Sequence, residues 1–431
     1  MDIAPLSKRF LELSFVLASQ IFGGVSALIL LKILVVHLSP ALYGEYALMM
    51  SVVAVASALP FNGLNQSVLR FSSGVQGQRN QYLSYVISSL FLYFLLLIFY
   101  FFIVCGIYFF LNNPVWKESI FALYAYFFGS IVFSFSLFIY NGNRLRGKVF
   151  FLGLVSSLLS IGLLLYFLRE PSHRNLKEVF ILIAIGYFVA PIVTVGRGWG
   201  KLFSVQWKLT TRHFLMLFKF AGPLILMSGF IWFRSMASRW YLDFFVNKEA
   251  IASFAILSTL AMMAPTALQS FLSSYFSPIL YQLFDRDEQL AIEKLKKITK
   301  IFFIFLILSA IVVAVASHWI IRFFAAGYYA QHAWMLMPMY LSFSIYTLIS
   351  FSVTTRLFAE KKPGRLVLPN VLIDIISLLA GALLTFKFGL MGVFINYCAT
   401  YLILAFLLYG LLWGEGPIFR WLEFKKIKNK I

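Results

Sequence analysis

The sequence is short of charge, shorter still of acid, and almost without cysteine. Asp, Glu, Lys and Arg together supply 12% of its 431 residues, about half the share of an ordinary soluble domain. So little charge cannot cover a water-soluble globule. It also excludes intrinsic disorder and coiled coil, both of which need polar or charged tracts. Two cysteines, Cys105 and Cys398, lie inside apolar runs and support neither a disulfide framework nor a metal cluster. The five histidines, His37, His173, His213, His318 and His332, are scattered along the chain. There is no glycine-rich phosphate loop ending in Lys-Ser/Thr, no clustered His/Cys set and no pair of neighbouring carboxylates suited to acid–base work. No cofactor and no enzyme of a soluble type is expected.

What the chain has instead is apolar length. Hydrophobic residues make up 61% and aromatics 19%, and the mean hydropathy is +0.88. A membrane-spanning helix needs about 20 mostly apolar residues. Twelve such runs can be placed, at 13–37, 42–68, 82–111, 118–140, 149–168, 178–196, 214–242, 249–283, 300–324, 333–356, 367–386 and 389–413. The first is too long for a signal-peptide core and is expected to be kept as a span.

The 36 basic residues test this map against the positive-inside rule. With the N-terminus in the cytoplasm, 26 of them fall on inside segments and 7 on outside ones, leaving Lys32, Arg234 and Arg239 within spans. Both ends are therefore expected inside. The net charge of +20 reads as topology and contact with anionic lipid headgroups, the basic tail at 420–431 above all, rather than as nucleic-acid binding. The polar stretch at 197–213 divides six spans from six. Each half enters the membrane from the same side, so the halves are parallel repeats. The expected fold is an all-α polytopic membrane protein of about 12 helices in two six-helix bundles, 1–200 and 201–431, arranged as a V. Residues 285–300 should form a cytoplasmic amphipathic helix running into span nine.

Ionisable and amide residues inside spans are expensive in lipid and usually face a cavity or a partner. Arg234 lies mid-span in SGFIWFRSMASRWYL, with Ser238 four residues on and on the same helix face. Lys32 lies in the outer half of span one, from where it can also snorkel outward. Asp374 is the one acid deep in a span. Asn370, Asp374 and Ser377 recur at i, i+4 and i+7, an oxygen-rich patch able to take a proton or a sodium ion. A structural salt bridge with Arg234 is the alternative. Pro369 is expected to loosen the helix just before the patch. Span two ends in PFNGLNQSVLRF, where Pro60 and Gly63 interrupt the helix beside Asn65, Gln66 and Arg70. Amides suit sugar hydroxyls and a guanidinium suits phosphate oxygens. Gln20 and Gln269 add amides within spans one and eight, where an interhelical hydrogen bond is the simpler role.

At several of these places the chain resembles the Wzx-type flippases, the O-antigen and polysaccharide exporters of the multidrug/oligosaccharidyl-lipid/polysaccharide superfamily. The corner Leu38-Ser39-Pro40-Ala41-Leu42-Tyr43-Gly44-Glu45-Tyr46 resembles the family's corner after span one. Gly63-Leu64 with Arg70-Phe71, Phe220-Ala221-Gly222-Pro223-Leu224, Ser277-Pro278 before Asp285-Arg286-Asp287-Glu288, and Gly389-Leu390-Met391-Gly392 resemble later landmarks in the same order. The resemblance implies a V-shaped pair of bundles in the bacterial cytoplasmic (inner) membrane. Its cargo would be a polyprenyl-diphosphate-linked oligosaccharide, moved between leaflets by alternating access, with a glycan polymerase as a partner. Related lipid II flippases bind sodium through an Asn and an Asp four apart on span eleven, a spacing matched by Asn370 and Asp374. The sequence departs from the family at Ser238, where many relatives carry an acid before the Arg. Sodium at Asp374, proton coupling through it, and no ion site all stay open.

A diphosphate cannot cross hydrocarbon bare, since an unpaired charge in low dielectric costs on the order of tens of kcal/mol. A cationic, hydrated path suits such a cargo, with Arg234, Arg70 and Lys32 as its expected diphosphate contacts and Asn65, Gln66, Gln20 and Gln269 as sugar contacts. A cation-coupled drug or solute exporter of the same superfamily is the alternative, although it should carry more buried acid. A membrane glycan polymerase or ligase would need a larger outer loop than residues 169–177 provide.

Overall fold

The computed structural model describes residues 6–65, 79–143, 145–195, 211–284, 286–325, 327–360 and 362–413. Twelve α-helices run through them: α1 (Leu6–His37), α2 (Pro40–Ser57), α3 (Arg79–Phe110), α4 (Pro114–Gly142), α5 (Arg146–Phe167), α6 (Leu176–Val195), α7 (Thr211–Phe245), α8 (Lys248–Phe284), α9 (Glu288–Ala325), α10 (Leu336–Ala359), α11 (Val367–Phe388) and α12 (Leu390–Trp413). No strand occurs among the described residues. Among the described residues, eleven helical segments are long and apolar enough to cross a membrane. The remaining helix, α7, has 35 residues and carries Arg234, Arg239 and Asp243. The chain is a multi-pass membrane protein of the class its hydropathy announces.

Helix boundaries follow local chemistry. Ser39 accepts a hydrogen bond from the Leu42 amide at 3.3 Å and Pro40 opens α2, where the missing N–H costs nothing. Asn113 caps α4 through the amides of Val115 and Trp116 at 3.0 and 3.4 Å, again followed by proline. Asn175 caps α6 and Asn247 caps α8 in the same way, at 2.9 and 2.8 Å. Gly389 ends α11 with φ 56°, a left-handed conformation that glycine adopts without strain. Three residues on, a Cβ at Gly392 would run into the Leu384 carbonyl, so this corner needs both glycines.

Pro60 does interrupt α2, within a π-helical turn over Ala58–Asn62, whereas Gly63 keeps ordinary right-handed helical angles. Pro369 acts differently from expectation. It lies in the first turn of α11, where its absent N–H has no helical partner to lose, and it frees no carbonyl in the middle of the span. The amphipathic stretch before span nine is confirmed from residue 288 onward: α9 is one helix of 38 residues. Ala291 and Leu295 are buried while Lys294, Lys296, Lys297 and Lys300 face outward.

The chain divides into two compact units. One takes Met1–Ile256 with Arg322–Tyr329, the other Leu257–Ile321 with Ala330–Ile431. Helix α7 falls within the first of these units. In the first unit α6 packs closely on α4 and α5, and α1 on α5. Gly186 lets α6 approach the Ser156 carbonyl and Ser160, because a Cβ there would meet both. In the second unit α12 packs closely on α10 and α11. In each unit the last helix of the sextet thus rests on the two before it, α6 on α4 and α5, α12 on α10 and α11. The third helix of each half, α3 and α9, presents long exposed apolar stretches: Phe94, Phe99, Phe102 and Phe109 on one, Ile304, Leu308, Val312 and Val315 on the other. Such faces suit lipid tails.

Candidate functional site

In the first unit α7 is the helix that carries the buried base. Arg234 is 8% exposed, and Ala237, Ser238 and Leu242 are buried on the neighbouring positions of the same side. The opposite side is fixed against α2. The Trp232 indole donates to the Ser51 carbonyl at 2.8 Å, the Trp240 indole to Ser51 Oγ at 2.9 Å, and Arg239 Nη1 to the Ala47 carbonyl at 2.9 Å. At about 100° per residue, Trp232 and Arg239 lie about 140–160° round the helix from Arg234. Arg239 is therefore spent on α2, whereas Arg234 and Ser238 point away from it.

The corner motif proves to be a polar junction. Lys248, the first residue of α8, lies 3.0 Å from Glu45 and 2.5 Å from Asp243. Glu45 is buried and also accepts from the Trp116 indole at 2.7 Å. Gly44 allows this approach, since a Cβ there would overlap the Lys248 carbonyl. The junction gathers α2, α4, α7 and α8 at one end of the unit. Sequence reasoning passed over it, because Glu45, Asp243 and Lys248 lie at helix ends and only charges within spans were singled out. The glycine–acid pair inside the corner motif was the available signal.

At the other end of α2, Asn65 is 5% exposed. Its Oδ1 accepts from the Tyr93 hydroxyl, which also lies 3.5 Å from the Phe61 carbonyl. Phe61, Tyr93, Phe127 and Phe135 pack edge-on or tilted around that bond. The Asn65 carbonyl is thus engaged within the bundle, the simpler role for a lone amide in a span. Lys32 places its ammonium 3.9 Å from the centre of the Phe323 ring, a cation–π contact. Gln20 and Gln269 are half-buried. Gln66 and Arg70 lie outside the described residues.

In the second unit Asn370, Asp374 and Ser377 are all buried on α11. Asn370, Ile373, Asp374, Ser377, Gly381 and Thr385 form the buried stripe of α11, with Asp374 at 1% exposure. The Asn370 amide donates to the Leu366 carbonyl at 2.7 Å. Ser377 Oγ accepts from Asn396 Nδ2 at 3.1 Å and from Thr400 Oγ1 at 2.8 Å, both on α12. Asn396 and Thr400 were not foreseen, although their spacing of four repeats that of Asn370 and Asp374. Neutral donors thus meet at Ser377 on the same buried stripe as the Asp374 carboxyl, and a buried carboxyl is a group that can take a proton or a monovalent cation. At the entrance to α11, Glu360 bonds Arg356 Nε at 2.8 Å and Lys362 Nζ at 3.1 Å. Burial pushes its carboxyl up, but these two bases outweigh that and hold it below the ordinary Glu range.

No family model and no curated protein matches the chain. Solved structures do. A multidrug resistance MATE family transporter of the MOP superfamily, in an inward-facing conformation, aligns over 92% of this chain and 93% of its own, with TM-score 0.66 and 13% identity. The lipid II flippase MurJ, in an inward closed conformation, aligns over 92% and 86%, with TM-score 0.68 and 16% identity. A mutant of the Vibrio cholerae MATE transporter VcmN aligns over 95% and 98%, with TM-score 0.66 and 16% identity. At such identities the likeness is one of architecture: this chain has the fold shared by the MATE transporters and the lipid II flippase.

Proposed function

We propose that the chain is an exporter of the bacterial cytoplasmic membrane that carries a polyprenyl-diphosphate-linked oligosaccharide between leaflets by alternating access. The observation that carries this reading is Arg234, a base buried within a membrane helix and turned away from the helix that binds its neighbours. A buried guanidinium suits the paired oxygens of a diphosphate. The fold agrees, since it is also that of a protein named as a lipid II flippase. Arg70 and Lys32 are further diphosphate contacts in this reading, and Gln66, Gln20 and Gln269 are sugar contacts. The polyprenyl tail stays in lipid, and a glycan polymerase receives the product.

Asn370, Asp374 and Ser377 form the coupling site, for a proton or for sodium, with Asn396 and Thr400 holding Ser377 in place. A second reading, a cation-coupled drug or solute exporter, is favoured by the likeness to MATE transporters and by the buried Asp374. Arg234 separates the two. In the host, Arg234→Ala should cut glycan export by at least about tenfold, and Arg234→Lys should keep part of it, because charge survives while the bidentate fork is lost. Wild-type glycan export by a well-folded Arg234→Ala protein would remove the diphosphate role and leave the drug-exporter reading ahead.

A further inference from the structure

We propose that the N-terminal end of α9 carries a binding site for an anionic phospholipid, with the phosphate held by Lys297 and Lys300 and the acyl chains laid along the apolar face that continues beyond them. The inference rests on the chain being a multi-pass membrane protein, not on what it exports.

Helix α9 is longer than a membrane is thick. Its 38 residues rise about 57 Å, against about 30 Å of hydrocarbon. The surplus is polar. Glu288 to Lys300 hold all of its acids and four of its bases, and from Lys294 to the end of the helix there is no Asp or Glu. The polar turns therefore stand at and beyond the membrane surface while the helix runs on unbroken into lipid.

Register puts charge and apolar surface on one face. Leu295 and Leu306 point into a core with Leu272, Leu280, Leu348 and Phe351. At about 100° per residue, Lys297 and Lys300 lie within about 40° of the direction opposite Leu295. Ile304, Leu308, Ile311 and Val315 fall in the same arc, and all four are exposed. Lys294 and Lys296 flank the arc at about 80° on either side. Lys300 precedes Ile304 by one turn, a rise of about 6 Å. That places its ammonium at the depth of a lipid phosphate, with acyl chains below it. Glu293 shares the face but lies a turn further out than Lys297, so the positive stretch is the part next to the hydrocarbon.

The charge of this stretch is not spent within the protein. At the α4–α5 corner Arg146 bonds Asn141 at 2.5 Å, and before α11 Arg356 and Lys362 both bond Glu360. Lys294, Lys297 and Lys300 make no ion pair or hydrogen bond among the described residues. Like charges one turn apart repel, and an anion between them relieves that repulsion. A soluble anion would match the lysines alone. An anionic phospholipid matches both the lysines and the apolar stripe.

The test measures which lipid sits beside α9. In a background with Cys105→Ser and Cys398→Ser, Ile304→Cys carries a bimane fluorophore. The full chain is reconstituted in phosphatidylcholine vesicles with a minority of phosphatidylglycerol. Bromine placed on the chains of one lipid, then of the other, quenches the label according to how much of each lies next to it. At least about threefold enrichment of phosphatidylglycerol over its bulk share is expected. It should fall to the bulk share in Lys297→Gln/Lys300→Gln and persist in Lys297→Arg/Lys300→Arg, where the charge survives. A bulk share beside the protein with its lysines intact overturns the proposal, and so does enrichment that survives the glutamine pair. If the Ile304→Cys protein does not reconstitute, Ile301→Cys, also exposed, takes the label.

Discussion

Arg234, Asp374 and Ser377 are polar residues that sequence spacing picked out and that the structure buries. They were legible because a charge or amide inside an apolar run of about 20 residues is conspicuous and costly. Their surroundings were not legible. Ser377 serves Asn396 and Thr400, and Asn65 serves Tyr93, across helices whose facing no single sequence fixes. Two predictions belong at this scale. Ser377→Ala leaves two buried donors without their acceptor, and should cost about 1–3 kcal/mol, read as a lower unfolding temperature in detergent. Asp374→Asn should leave that temperature nearly unchanged and abolish the dependence of export on an ion gradient. Export still driven by the gradient in the Asn variant would remove Asp374 from the coupling role.

The helices themselves were almost all readable from hydropathy, because a span announces itself by length. Their ends were readable where Ser, Asn or Pro supplies a cap, and the corner before α2 is the clearest case. Pro369 shows the opposite situation. The same residue breaks a helix or starts one depending on where the first turn falls, and that is set by the short 3-10 turn at Pro363–Leu366. Two element-scale predictions follow from corners. Gly44→Ala puts a methyl into the Lys248 backbone and should destabilise the protein by about 1–3 kcal/mol, seen in thermal unfolding. Gly222→Ala, with open space around it, should have far less effect. The α10–α11 corner is acid-sensitive. Glu360 is held below the ordinary Glu range when folded, so the stability it contributes is present above that range and is lost as pH falls through its folded value. Thermal unfolding followed from neutral pH into the acid range should show a decline that Glu360→Gln reduces. An unchanged pH profile in that variant would count against the clamp.

At the scale of the whole molecule, class and helix number were open to reading. In packing, α6 rests on α4 and α5, and α12 rests on α10 and α11. Lipid-facing and helix-facing positions both accept any apolar residue, so packing can be kept while sequence drifts. The hold of α7 on α2 was not open to reading. It rests on indole and guanidinium hydrogen bonds to α2, and on glycines whose close contacts only the fold reveals.

The cargo is the central claim, and one measurement bears on it most directly. This chain is deleted in its host, lipid-linked glycans are extracted, and their leaflet is assigned by labelling intact and lysed spheroplasts. A complete repeat unit on a polyprenyl diphosphate, trapped on the cytoplasmic side and released by restoring the wild-type chain but not Arg234→Ala, is the predicted result. Complete units reaching the outer leaflet in the deletion strain as they do in the wild type would contradict it.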